Sequence, residues 1–389
     1  MILLHKFWNR APIIYEKVAG VTKCMQTMKQ GRYILLAVIL VIAASCESKH
    51  QTTIAFPQKV FVGSFPQRDS LYSNKTFRVE TVALIDIAVK NRLLLLASSS
   101  DENKYISAYS LDDGSLVGSA LKKGRANGEL RGAKSFVALG LREYDDKLYS
   151  YTFDSQNNLI RIDLTESFSQ NHTVFDVIAE RSRLEMPRAI FCRDSVFLIT
   201  SVSEDLKRRN RMLLHENGTS DVPAHLQLLN DASVRKSDDV NILSTLVAFN
   251  PNLQRVAEAG LQQNSIQLYS LYDDFAKTIV IGKRQMPIEE LETTKQDLIR
   301  DQYVHVNAYN KYFAALYYDA TEKEQHNKEK LPRLQFFSWE GEPICELLIS
   351  FPASSFDIDC QKKKIYFLNR DSESITECSL PDCLVTVSN

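Results

Sequence analysis

The chain lacks an apolar run long enough to cross a bilayer, a surplus of charge of either sign, and cysteines at the spacing of a metal knuckle. A spanning helix needs about 20 apolar residues, and the stretch from Tyr33 to Ser45 falls well short before Glu47 and Lys49 restore polarity. With 47 Lys and Arg against 48 Asp and Glu, the net charge is −1. No basic excess is available to neutralise a phosphate backbone, so nucleic acid is not an expected partner. The seven cysteines include no CxxC pair, which removes the usual structural zinc site. Also missing are HExxH, GxSxG, an EF-hand loop, a Walker loop and a GxGxxG that opens a helix. No motif calls for a cofactor.

What is present begins with Cys46. It closes the apolar run Ile34 to Ser45, whose last residues are Ala43, Ala44 and Ser45, and Lys29 and Arg32 precede that run. A short apolar segment behind positive residues, ending in small side chains and a cysteine, reads as a bacterial lipoprotein signal with Cys46 as the lipidated residue. The acyl chains on such a cysteine suffice for stable membrane anchoring. A start at Met28 gives a signal of ordinary length and makes residues 1–27 upstream sequence; the alternative is a plain signal cut near Ala44. Residues 1–45 are thus expected as leader and residues 46–75 as a tether. Loss of the leader removes Lys6, Arg10, Lys17, Lys23, Lys29, Arg32 and Glu16, leaving a mature net charge of about −6. Glu47 is not the aspartate associated with inner-membrane retention. The outer membrane is therefore the expected location, with the periplasmic side favoured by the absence of a dense acidic run after Cys46.

From residue 76 to 389 one unit recurs six times: apolar strand, polar turn, apolar strand, variable loop, third strand, and an outer strand. Second-strand anchors fall at Leu93, Leu148, Val196, Val256, Phe313 and Ile365, in steps of 55, 48, 60, 57 and 52 residues. Four antiparallel strands per copy at steps near 50 predict an all-β fold, a six-bladed β-propeller. The competing arrangement is two stacked sandwiches or a solenoid. Lys59–Val62 is expected to add a strand to the last blade and so close the circle, and the outer strand of copy six itself is read at Leu384–Val387. Pro287 to Arg300 is read as the one helical stretch, capping the connection between copies four and five.

Between copies one and two, Gly124-Arg125-Ala126-Asn127-Gly128-Glu129-Leu130 resembles the GxGPGE turn of the TolB-like six-bladed propeller lipoproteins of Gram-negative gut bacteria, which are close in shape to NHL-repeat propellers. The resemblance spans the leader and residues 76 to the end. Ala126-Asn127 replaces the usual Gly-Pro, so Gly124 and Gly128-Glu129 carry it. It implies the propeller fold and an envelope location. It implies no particular activity, since most members of that family have no assigned one.

Candidate site residues follow from this plan. Gly124, Gly128 and Gly132 are expected at positive φ in a tight connection, whose amides, with Arg125, Arg131, Lys122 and Lys123, could cradle an anion. His305 falls on an innermost strand, and with Asp86 and Asp357 it forms the sharpest constellation for a metal-dependent hydrolase of the lactonase or glycosidase kind. Charged loops at Ser203–Arg211, with Arg208 and Arg209, and at Thr321–Lys330 share the face of the Gly124 turn, where contacts gather on rigid scaffolds. Cys378 and Cys383, separated by a turn with Pro381, could pair. Otherwise they, with Cys192, Cys345 and Cys360, read as small buried hydrophobes. The leading expectation is a monomeric, non-catalytic propeller that binds an envelope protein, peptide or glycan on its loop face, with the hydrolase as runner-up.

Overall fold

The computed structural model describes residues 53–381, apart from 101–103, 181, 194–195, 216 and 237–239, together with Leu384. Within them six sheets follow one another in chain order, each with four antiparallel strands. The inner strands are Leu84–Lys90, Leu141–Tyr144, Glu185–Arg193, Thr245–Asn250, Arg300–Ala308 and Ser355–Asp359, which number the blades 1 to 6. All six second-strand anchors lie on the second strand of their blade. The fold is a six-bladed β-propeller.

The strands read as continuous apolar runs because both faces of each sheet are covered by a neighbour. In blade 3 every residue of Val196–Val202 is buried. One face packs Phe197 and Ile199 on Tyr151 and Phe153 of blade 2. The other packs Leu198 and Leu213 into a core with Val256 and Tyr269 of blade 4.

Residues 53–77 do not form a tether with one strand. They run as a strap along the rims of three blades. Strand β1 (Lys59–Val62) pairs in parallel with the outer strand Ala276–Ile281 of blade 4, not with the last blade. Strand β2 (Gln67–Leu71) pairs in parallel with the outer strand of blade 5. Strand β3 (Lys75–Phe77) pairs antiparallel with Ser374–Ser379 and serves as the fourth strand of blade 6. The ring is therefore closed from the N-terminal side. Leu384 is buried, while the rest of the proposed strand Leu384–Val387, Cys383, the leader and Cys46 lie outside the described residues. Ahead of β1 the strap is wedged between blades: Phe56 packs edge-on against Tyr269, 5.9 Å between ring centroids, and its amide donates to Thr278 Oγ1 at 2.7 Å.

Helical structure is more widespread than the sequence suggested. Ile288–Thr293 is helical where expected, but Gln296–Leu298 is a separate 3₁₀ turn that leaves Leu298 exposed, and helices also occur at Leu164–Gln170, Ala224–Asn230 and Glu322–His326. The last opens the charged stretch Thr321–Lys330, where Thr321 and Glu324 form a reciprocal capping box. Cys192, Cys345 and Cys378 are buried thiols, and Cys360 is an exposed one.

Phe56 is fully buried, so Phe56→Ala should cost about 3–5 kcal/mol in urea unfolding, the usual range for an aromatic removed from a core. A loss below about 1 kcal/mol would mean that the strap is held too loosely to belong to the core.

Candidate functional site

The centre of the ring is fastened by two buried carboxylates. Asp86, on the inner strand of blade 1, accepts from its neighbour Ile87 N at 2.8 Å and from Phe136 N, in the connection to blade 2, at 2.8 Å. His305 Nε2, from the inner strand of blade 5, stands 3.0 Å from Asp86 Oδ1. Blades 1 and 5 thus meet across the axis. Asp357, on the inner strand of blade 6, accepts from Val89 N at 2.8 Å, Ile358 N at 2.8 Å, Tyr309 OH at 2.8 Å and Asn307 Nδ2 at 3.2 Å, and Lys90 Nζ lies 3.4 Å away. Each carboxylate ties its own strand to two other blades. Burial pushes the Asp86 carboxyl up, but His305 and the Phe136 and Ile87 amides outweigh that and hold it below its ordinary value. The His305 ring stands edge-on to Phe356, 5.3 Å between centroids; both ring nitrogens are buried, Nδ1 faces no partner, and Nε2 meets Asp86 as a close contact outside hydrogen-bond geometry.

The sequence grouped His305, Asp86 and Asp357. The structure joins the first two directly and places Asp357 in a second cluster with Tyr309, Asn307 and Lys90. Among the described residues no group of three or more His, Cys, Asp or Glu is arranged to hold a metal ion. Asp357 borders a cavity whose lining draws on all six blades. It encloses about 110 Å³ between Ile87, Leu141, Ile190, Val247, Val306 and Asp357, below the ~300 Å³ at which small-molecule pockets usually begin.

The Gly124 turn is held by the chain's own groups. The Gly128 amide donates to Asp154 Oδ2 at 3.2 Å and the Ala126 amide to Glu129 Oε2 at 2.9 Å. Arg131 Nε donates to the Ser155 carbonyl at 2.8 Å, and Gln156 Nε2 donates to the Arg125 carbonyl at 3.2 Å. The amides read as an anion cradle are thus occupied by two side-chain carboxylates. Gly128 alone of the three glycines has positive φ, +77°, and a Cβ there would strike the Phe175 ring. At Gly124 a Cβ would meet only the end of the flexible Glu129 side chain, which would have to shift away from its bond to the Ala126 amide. Arg125 and Arg131 are exposed.

Arg208 and Arg209 separate in role. Arg208 is exposed, in the Ser203–Arg208 turn. Arg209 is not a loop residue but the first of the third strand of blade 3, Arg209–His215, and it is buried. Two residues on, Arg211 forms an inter-blade ion pair that sequence reading missed. Its Nε and Nη2 donate to the Glu258 carboxylate of blade 4 at 2.5–3.0 Å, and Thr245 Oγ1 and Tyr269 OH donate to the same carboxylate. A lone Glu258 inside the apolar strand Arg255–Gly260 was the available signal, because a charge at a buried strand position requires a partner. Burial raises the Glu258 carboxyl, but Arg211, Thr245 and Tyr269 more than reverse this and hold it below its usual range.

The geometry defines the class as a six-bladed β-propeller whose inner strands are tied at the hub by buried polar contacts. No family model and no curated protein matches the chain. Among solved structures it is similar to a member of the DUF4221 family from Bacteroides vulgatus, at 10% identity and a TM-score of 0.51, over 80% of this chain and 97% of that one. It is also similar to a gluconolactonase from Xanthomonas campestris, at 11% identity and a TM-score of 0.44, over 84% of this chain and 98% of that one. A luciferin-regenerating enzyme gives 8% identity and a TM-score of 0.44, over 78% and 95%. At these identities the likeness is one of fold.

Both Asp86 and Glu258 have folded-state carboxyls held low, so their stabilisation is complete above the ordinary carboxylate pKa of about 4 and is lost as pH falls through the lower folded-state values. Chemical unfolding should therefore show stability falling below about pH 4, and Asp86→Asn should flatten that fall. Arg211→Met leaves Glu258 buried without its cation and should cost about 3–5 kcal/mol. A cost near zero would mean that the pair does not bridge blades 3 and 4.

Proposed function

We propose that the protein is a non-catalytic binding propeller, carried on the outer membrane by a lipid on Cys46, that takes a protein, peptide or glycan on the face where the inner strands begin. The observation that carries this reading is the state of the hub. The carboxylates best placed for chemistry, Asp86 and Asp357, spend their oxygens on backbone amides and on side chains of neighbouring blades, so they act as fasteners between blades. Recognition then falls to the loops, which a closed ring holds rigidly. The leader pattern and the Gly124–Leu130 turn support the envelope location and kinship with TolB-like propeller lipoproteins.

The second reading, a metal-dependent hydrolase of a lactone or glycoside, draws on one observation: the buried, unpartnered Nδ1 of His305 beside Asp86. In that reading His305, Asp86 and Asp357 would be the working groups.

Two measurements test the proposal. Cys46→Ala should move the protein from the membrane fraction to the soluble fraction; unchanged membrane retention would rule out the lipid anchor. The wild-type chain, cross-linked in intact envelopes, should retain a partner that a variant reversed in charge on the loop face, Arg208→Glu with Arg131→Glu, does not. Turnover of a substrate by the purified protein, abolished by His305→Ala with no partner retained, would replace this reading with the hydrolase.

A further inference from the structure

Among the described residues, positive charge on the blade 4 side of blade 3 exceeds the carboxylates that reach it. Arg188 pairs with Thr200, Arg209 with Val202 and Arg211 with Thr200 in the strand registers, so all three arginines point from the same face of the sheet. Glu258 reaches that face and is consumed by Arg211, with Thr245 and Tyr269 filling its remaining acceptor positions. Arg209, 7% exposed, donates from Nη2 to Ser244 Oγ at 3.0 Å, and its buried Nε meets no acceptor. Arg188 forms no ion pair among the described residues, yet its side chain opens to solvent. Lys134, in the connection between blades 1 and 2, donates from Nζ to Thr152 Oγ1 at 3.0 Å and to the Phe153 carbonyl at 2.6 Å, both neutral acceptors.

These cations feel one another. Burial and the neighbouring Arg188 outweigh the pull of Asp154 and bring the Lys134 ammonium down to about 8, and burial with Arg188 and Arg211 outweighs Glu258 and brings Arg209 down to about 10. Partial burial also lowers Arg188, while its side chain keeps contact with solvent. Like charges held close in a poorly solvated place disfavour one another unless an anion joins them. The donors left over are of the kind that grips one: guanidinium forks and an ammonium, charge-assisted donors suited to a planar carboxylate or a phosphate.

We propose that Lys134, Arg188 and Arg209 form a binding site for an oxyanion, the carboxylate of a sugar acid or a phosphate group, where the inner strand of blade 3 begins. The site rests on the binding-propeller reading and sharpens it, because the ligand or partner must present such a group on the loop face. Arg188 makes the first contact from the solvent side. Arg209 Nε, held in place by the Ser244 bond, is the deep donor, and Lys134 closes the site from the approach to blade 2.

The test is calorimetric titration of the full chain in detergent at low ionic strength, with sodium phosphate, sodium D-glucuronate and glucose as probes. One oxyanion should bind and glucose should not, and the stronger oxyanion distinguishes a phosphate-bearing from a uronate-bearing ligand. Arg188→Gln, at a solvent-open position, and Lys134→Gln should each weaken binding by about tenfold or more, the worth of one charge-assisted contact. The proposal is overturned if neither oxyanion binds. It is equally overturned if binding survives both substitutions unchanged. A partner retained in envelopes by a chain that binds neither probe would remove the oxyanion site and leave the binding function standing.

Discussion

A four-stranded sheet with apolar side chains on both faces has no stable existence alone, and everything in this molecule follows from the need to cover the second face. Each blade supplies what its neighbour lacks, and only a closed ring leaves no blade uncovered. Closure explains why the strands are apolar throughout, why the chain returns its N-terminal residues to blade 6, and why the few charges that enter the interfaces must find partners there. Arg211 with Glu258 is such a case between blades 3 and 4. Asp86 with His305 and Asp357 with Tyr309 do the same work at the axis, where inner strands converge and backbone amides face inward.

The hub and the rim therefore divide the labour differently from what residue types alone suggest. Histidine and aspartates on inner strands resemble a reaction centre when read one at a time. In place, the aspartates are saturated by amides, a phenol and an amide side chain, and the cavity beside them is small. The cations that form no ion pair among the described residues, by contrast, come from positions without any recognisable motif: one from a blade connection, one from the start of an inner strand, one from the start of a third strand.

Much of the fold could be read directly, because strand runs such as Leu93–Ser98 and Lys364–Asn369 repeat at near-constant steps and a ring is the arrangement that buries them all. The strap could not. Gln67–Leu71 is a polar pentapeptide with only Leu71 buried, and nothing in its pattern announces a parallel edge strand. Lys75–Phe77 is three residues long, and its partner lies about 300 positions away, a distance no local pattern spans. Ring closure was accordingly assigned to Lys59–Val62 on the last blade, whereas Lys75–Phe77 makes it and Lys59–Val62 pairs with blade 4. At the candidate sites, Arg209 was placed in a loop because arginines at the mouth of a strand look like the charged turn before them. The period-two sequence Arg209, Arg211, Leu213, all on one face, was the legible clue. The glycine turn was located correctly as a tight connection, but its amides were already taken by Asp154 and Glu129, a contact fixed only by tertiary folding.

The strap touches blade 4 first, blade 5 next and blade 6 last. Tension entering from the N-terminal direction is thus absorbed at Phe56 and at the ladder along Lys59–Val62, two blades before it could reach the residues that complete the circle. The latch of the ring is mechanically sheltered: a pull would have to strip two parallel strand pairings in succession before the join between Lys75–Phe77 and Ser374–Ser379 bore any load.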